Sequence, residues 1–228
     1  MHHLQPQGME DSFSGASFEQ IRIRVEVPNS PGSISELVDH MVAQGHQVEV
    51  VSMKQAGIRP FGVIGHIRVD GIECIAKIAG EHLPEDHPDY FEAFIRQGAI
   101  EQEYEGLKAA TGLTPRLIGE IIAGGQTVGV LRQFIEGTPL ADAIREGIIS
   151  PEDALRQAIE LAQAVNDRGF KLWDCEPNNL WLRPDGTVIL IEGQCLKAYS
   201  DEERRNPHEK EKAKIFVTAM LEDLLPGA

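Results

Sequence analysis

Three shortages narrow what this chain can be. Cysteine is scarce: Cys74, Cys175 and Cys195 are the only three, no two are spaced as C-x-x-C, and one is left odd. That pattern indicates neither a disulfide framework nor a zinc knuckle, and it fits a reducing cytoplasm. Positive charge is short as well: 21 Lys and Arg against 36 Asp and Glu give a formal net charge of -15. A field of that sign argues against nucleic acid or an anionic membrane as partner and points to basic or neutral ones. Long apolar runs are missing, and no signal-peptide pattern opens the chain, so a cytoplasmic protein is expected, with delivery as a secreted effector left open.

What is present suffices for a folded core. At 228 residues and 42% hydrophobic content the chain can form one domain or two small lobes. Residues 1–17 are polar and carry Gly and Ser, which predicts a disordered tail, with His2 and His3 as tail residues. Phe18 to Pro28 then alternates, with Ile21, Ile23, Val25 and Val27 on one face of a half-buried strand. Ser30-Pro31-Gly32-Ser33 opens an amphipathic helix with Ile34, Leu37, Val38 and Met41 at helical spacing, stopped by Gly45, and His46 to Met53 is again strand-like.

Gln55 to Gly80 reads as two more strands joined by Asp70-Gly71, the second an apolar run, Ile72 to Ile78, with Lys77 inside it. A lysine in a buried strand is costly unless its ammonium finds an anion; the plainer alternative places it on a solvent face. A helix is expected from Asp89 to Ala110, broken near Gln97-Gly98, with Ile100, Glu103, Tyr104 and Leu107 on one side and Glu101 and Glu105 pointing elsewhere. Leu117 to Ile122 and Val128 to Phe134 form a hairpin around Ala123-Gly124-Gly125-Gln126. Ser150-Pro151 starts another helix with Leu155, Ala158, Ile159, Ala162 and Val165 as its core stripe, closed by Gly169. A last amphipathic helix carries Ile215, Phe216, Ala219, Met220 and Leu224.

The most informative stretch is Phe170 to Gln194. Two apolar runs, Asn179 to Leu182 and Thr187 to Ile191, flank Pro184-Asp185-Gly186, a hairpin signal. The hairpin gathers Asp174, Glu176, Asn178 and Asn179 from one end with Glu192 and Gln194 from the other, a set of carboxylates and amides that suits a divalent metal and a phosphate.

Asp174 to Asn179, D-C-E-P-N-N, resembles the catalytic loop of the protein kinase-like superfamily, and Glu192-Gly193 stands thirteen positions past Asn179, where the family has its Asp-Phe-Gly. Ile75-Ala76-Lys77 is similar to the strand whose lysine holds nucleotide phosphates. The resemblance implies an α+β, reduced two-lobed kinase-like fold: an N-lobe of residues 18–132 with an antiparallel sheet and one helix, a hinge at 133–140, and a short helical C-lobe at 141–228.

The resemblance also implies roles. Asp174, Lys77 and Glu103 would be catalytic, with Glu103 orienting Lys77. Lys77, Gly57 in a glycine loop near Lys54 to Gly62, and the hinge residues Gln133, Phe134 and Ile135 would bind ATP. Asn179 and Glu192 would hold Mg or Mn, and the acceptor would be a protein or small-molecule hydroxyl. Three positions depart from the family: Leu172 replaces the loop's His, with Trp173 expected to supply packing; Glu176 stands where Lys is frequent; and Glu192 replaces Asp. Those departures keep open a pseudokinase acting as a binding module. The opening strand-helix-strand, V-P-N-S-P-G-S-I-S-E-L, resembles small ligand-binding ACT domains, a further alternative.

Overall fold

The structure is a computed structural model that describes residues 23–55, 62–80, 83, 85–173, 175–204 and 208–222. Its strands and helices alternate irregularly. β1 (Ile23–Val27), α1 (Ile34–Ala43), β2 (Val48–Gln55), β3 (Val63–Val69) and β4 (Ile72–Ile78) are followed by α2 (Tyr90–Ala109), β5 (Leu117–Ala123) and β6 (Gln126–Gln133). Then come β7 (Thr138–Pro139), α3 (Leu140–Arg145), α4 (Pro151–Asp167), β8 (Phe170–Leu172), β9 (Leu180–Leu182), β10 (Val188–Leu190), β11 (Leu196–Ala198), α5 (Asp201–Arg204) and α6 (Glu209–Leu221). The fold is mixed α+β, as expected. Among the described residues no helix is long and apolar enough to cross a membrane. The expected tail, residues 1–17, lies outside the described residues.

Local chemistry explains most element boundaries. β1 alternates buried and exposed residues along its length. Ser33 caps α1 by accepting from the Glu36 amide, and Ser150 caps α4 by accepting from the Asp153 amide with Pro151 behind it; each cap contributes about 1 kcal/mol. Gly124 and Gly125, at φ 56° and 84°, form a two-residue turn between β5 and β6 that a side chain would strain. α2 runs without the expected break: Gly98 lowers its propensity but keeps helical dihedrals, and a Cβ there would meet nothing.

Six strands form one sheet in the order β1-β5-β6-β4-β3-β2. Every neighbouring pair is antiparallel except β1 with β5, which is parallel. The sheet is therefore not wholly antiparallel, and it carries two helices, α1 and α2, rather than one. The reason is the route of the chain. α1 leads from β1 at one edge to β2 at the other and packs on β1, β2 and β3, so the sheet curls around it. With four strands between β1 and β2, the opening strand-helix-strand is not a self-contained unit, which removes the basis of the ACT-like reading.

Two separate apolar cores result. One joins Val25, Val27, Ile34, Leu37, Met41, Ile67, Ala76, Ile78, Ile121 and Leu131, between α1 and the inner face of the sheet. The other joins Leu140, Ala158, Ala162, Val165, Leu172, Leu180, Leu190, Leu196 and Val217, with Ala110 contributed from just past α2. The β9-β10 hairpin and β7 make a small second sheet, and β8 with β11 a third. Gly137, between the two cores, approaches β9 so closely that a Cβ would lie 2.5 Å from Leu182 O.

Candidate functional site

The pleat of β4 decides where Lys77 goes. Cys74, Ala76 and Ile78 enter the core under α1, so Lys77 stands on the opposite face. The β4-β6 register pairs Lys77 with Val130 and Ile75 with Arg132, which puts Lys77 and Arg132 diagonally adjacent on that second face. α2 covers it. Lys77 is 1% exposed, so the solvent-face alternative does not hold. Glu103 is fully buried, while Glu101 and Glu105 are exposed, as the helical spacing predicts.

A glycine contact sets the depth of α2. A Cβ on Gly106 would lie 2.1 Å from Gly193 O, and one on Gly193 would lie 2.5 Å from Glu103 O. Only because both are glycine can α2 rest on the 3-10 turn Gly193–Cys195. That approach lets the Gln194 amide donate to Glu103 Oε2 at 2.9 Å.

The result is a buried cluster of two cations, two carboxylates and an amide. Lys77 Nζ donates to Gln194 Oε1 at 2.9 Å, and Gln194 Nε2 donates to Glu192 Oε2 at 2.6 Å, so each end of the Gln194 amide faces the partner its chemistry requires. Lys77 Nζ lies 3.9 Å from Glu103 Oε2 and 4.0 Å from Glu192 Oε1, close enough for ion pairing but too far for a hydrogen bond. Arg132 Nε faces Glu103 Oε1 at 3.6 Å, and among the described residues neither atom has a hydrogen-bond partner. The Arg132 guanidinium also donates to Ile191 O. Buried charges are tolerated when they are paired in this way.

Asn179 ends the 3-10 turn Pro177–Asn179. Its carbonyl accepts from the Ile191 amide at 2.9 Å and its Nδ2 donates to Cys195 Sγ at 3.1 Å, which fastens it to the segment carrying Glu192. The Cys195 thiol is pushed up, first by its hydrogen bond with Cys175 and then by burial, so it serves here as a neutral group. Among the described residues no group of three or more His, Cys, Asp or Glu converges on a metal position. Glu192 and Asn179 do offer hard oxygen donors, and Mg²⁺ characteristically takes one or two protein carboxylates and completes its shell with phosphates and water, so the donor set fits Mg or Mn.

The other expected site residues divide. Asp174 and Gly57 lie outside the described residues. Gly62, at φ 97°, ends the expected glycine loop, and a Cβ on it would lie 2.1 Å from Ile78 O. Gln133 closes β6 and donates its amide to Arg116 O at 2.8 Å; Phe134 donates its amide to Glu73 O at 3.2 Å and stacks on His66 with ring centroids 4.1 Å apart. Ile135 follows, half-buried, in the segment between the two cores. Leu172 packs in the second core, whereas Trp173, expected to pack, is 51% exposed. Strand alternation turns the two residues to opposite sides.

Two residues of the cluster escaped the sequence analysis in this role. Gln194 was noted only as one of several amides near the hairpin. Arg132 went unnoticed, although it carries the same signal as Lys77: a charge at the end of an apolar strand run, Val128 to Leu131.

Of solved structures, the chain is similar to the crystal structure of WbdD, at a TM-score of 0.52 and 16% sequence identity over 75% of this chain and 37% of that one. At this identity the likeness shows the fold alone. The chain spans little more than a third of the length of that structure. No protein-family model matches the sequence, and no curated protein matches it.

Proposed function

We propose that the chain is an ATP-dependent phosphotransferase of the protein kinase-like superfamily, with residues 18–132 and 141–228 as its two lobes and 133–140 as the hinge. The observation that carries this reading is the buried cluster itself: Lys77 from the sheet, Glu103 from α2 and Glu192 from beyond the hairpin, 117 positions of sequence apart in the case of Lys77 and Gln194, meet at one point.

In this reading Lys77 holds the nucleotide phosphates, and Glu103 keeps the ammonium aimed at them. A purine edge falls to the carbonyls of Gln133 to Ile135 and to the Ile135 amide, since the other two amides are already engaged. Asn179 and Glu192 hold the metal, which when bound neutralises phosphate charge. Asp174 orients the acceptor hydroxyl and takes its proton. The hydroxyl oxygen bonds to the γ-phosphorus, the bond from that phosphorus to the β-γ bridging oxygen breaks, and ADP leaves with the electron pair. Positioning and charge neutralisation supply the rate in such a transfer.

One observation favours the pseudokinase as second reading. Gln194 already bridges Lys77 and Glu192 within the protein, an arrangement that forms without nucleotide. Melting curves with ATP plus Mg²⁺ or Mn²⁺, followed by incubation with labelled ATP, separate the two. The enzyme gives a raised melting temperature and label transfer that falls about 10²-fold or more in Asp174→Asn with folding intact. A chain that binds no nucleotide under either metal is the interaction module instead.

A further inference from the structure

The buried cluster contains one charged group to which the chemistry above gives no task. Arg132 stands on the face of β6 that α2 covers, beside Val130, and is the last residue before Gln133 and the hinge. Its side chain is 8% exposed. A guanidinium keeps its charge at any pH a protein meets, so its burial cannot be relieved by losing a proton. An apolar residue would continue the layer that Val130 begins, and exchanging a buried ion pair for apolar groups is often neutral or stabilising. Stability alone therefore does not call for arginine at this position.

The contacts of Arg132 say what it does instead. Its guanidinium donates to Ile191 O, and the Ile191 amide donates to Asn179 O at 2.9 Å. The β9-β10 ladder pairs its last residues at Leu190 and Leu180, so the Ile191 carbonyl lies past the end of that ladder. The backbone of Ile191 is thus held from both sides. Asn179 and Glu192, the two donors of hard oxygen, flank it: Asn179 is bonded to its amide, and Glu192 is the next residue in the chain.

Arg132 also orients Glu103. Arg132 Nε faces Glu103 Oε1 at 3.6 Å, while Oε2 accepts from the Gln194 amide at 2.9 Å and faces Lys77 Nζ at 3.9 Å. With a cation before each oxygen, the carboxylate has one favoured orientation. A lysine would not do the same, because an ammonium is a point charge without the planar fork that addresses two partners along different edges at once.

We infer that Arg132 is a positioning residue of this site: through Ile191 it fixes Glu192 relative to Asn179, and through Glu103 it fixes α2 relative to both, so that it sets the affinity for the divalent metal and leaves the affinity for the nucleotide alone nearly unchanged. The inference rests on the phosphotransferase reading for the metal and the nucleotide. Charge and position make opposite demands here. The cluster sets Lys77 and Arg132 against Glu103 and Glu192, so loss of the arginine charge leaves it net negative, which by itself favours a bound cation. Loss of the positioning disfavours one.

The half-saturating concentrations of Mg²⁺ and Mn²⁺ at fixed ATP are measured by melting temperature in the parent chain, in Arg132→Lys and in Arg132→Met, and ATP affinity without metal is measured in EDTA. Arg132→Lys keeps the charge and lacks the fork; Arg132→Met keeps the length and lacks both charge and donors. Both variants should need about tenfold more of either metal, the usual cost of losing a group that orients a metal ligand, with ATP affinity in EDTA within about twofold of the parent chain. Should one variant fail to fold, the other decides. An unchanged metal requirement in variants that only melt earlier assigns Arg132 to packing, a tighter metal site in Arg132→Met beside a parent-like Arg132→Lys assigns it to charge, and an equal loss of ATP affinity in EDTA assigns it to Lys77. Each of these overturns the inference. A parent chain that ATP stabilises with neither metal overturns the phosphotransferase reading, and the inference with it.

Discussion

Lys77 makes its direct hydrogen bond to Gln194, at 2.9 Å, and not to Glu103 or Glu192, which stand at 3.9 and 4.0 Å. The ammonium is therefore held by a neutral amide with two carboxylates at arm's length. In the phosphotransferase reading, a phosphate arriving at Lys77 displaces an amide oxygen, which costs less than displacing a carboxylate in direct contact.

Gln194→Ala tests that arrangement. Loss of the bridge should lower stability by about 1 to 3 kcal/mol, since buried groups lose their partners. ATP affinity should rise by about fivefold, equivalent to ~1 kcal/mol, because Lys77 no longer has the Gln194 bond to give up. Urea unfolding and nucleotide titration measure the two quantities, and a weaker nucleotide complex would show that Gln194 positions Lys77 rather than occupying it.

Glu103 serves two cations, Lys77 and Arg132. Glu103→Ala leaves both without that partner and opens a cavity, so a loss of about 3 to 5 kcal/mol is expected. Glu103→Gln keeps the shape and an oxygen able to accept from the Gln194 amide, and should cost clearly less. Comparable urea midpoints for the two variants would assign the whole loss to the missing charge rather than to shape and hydrogen bonding.

The two glycines of α2 should respond with opposite signs. Gly106→Ala drives a methyl group into Gly193 O and must lift the helix from the turn, costing about 1 to 3 kcal/mol or more. Gly98→Ala meets open space in a helix interior and should stabilise by about 0.4 to 1 kcal/mol. Thermal melts of the pair check this directly, and a destabilised Gly98→Ala would contradict an unbroken α2.

The Glu203 carboxyl is held down to about 2 from 4.5, chiefly by its hydrogen bond to the Lys171 ammonium and then by the Ser200 amide. A depressed folded-state value means that the stabilisation is complete above pH 4.5 and is lost as the pH falls toward 2. Glu203→Gln should therefore be less stable than the parent chain at neutral pH, with the difference shrinking through that window. Circular dichroism during acid titration of both chains would reveal it, and a gap that stays constant from pH 6 to 2 would assign the effect to packing.

Alternation along β1, the serine caps of α1 and α4, the paired glycines between β5 and β6 and the Pro184-Asp185-Gly186 turn are local, so the sequence determined those elements by itself. It also determined that Lys77 and Glu103 needed buried partners, because a charge inside an apolar strand and an acid on the apolar side of a helix are visible as violations of period. It could not determine the parallel pairing of β1 with β5, since strand neighbours depend on where α1 carries the chain across the sheet. Nor could it seat Arg132 against Glu103, let Gln194 bridge Lys77 and Glu192, or turn Trp173 outward. Those outcomes were decided by tertiary structure: each requires knowing which face of a strand meets which element far along the chain, and the packing of Gly106 on Gly193 sets that meeting.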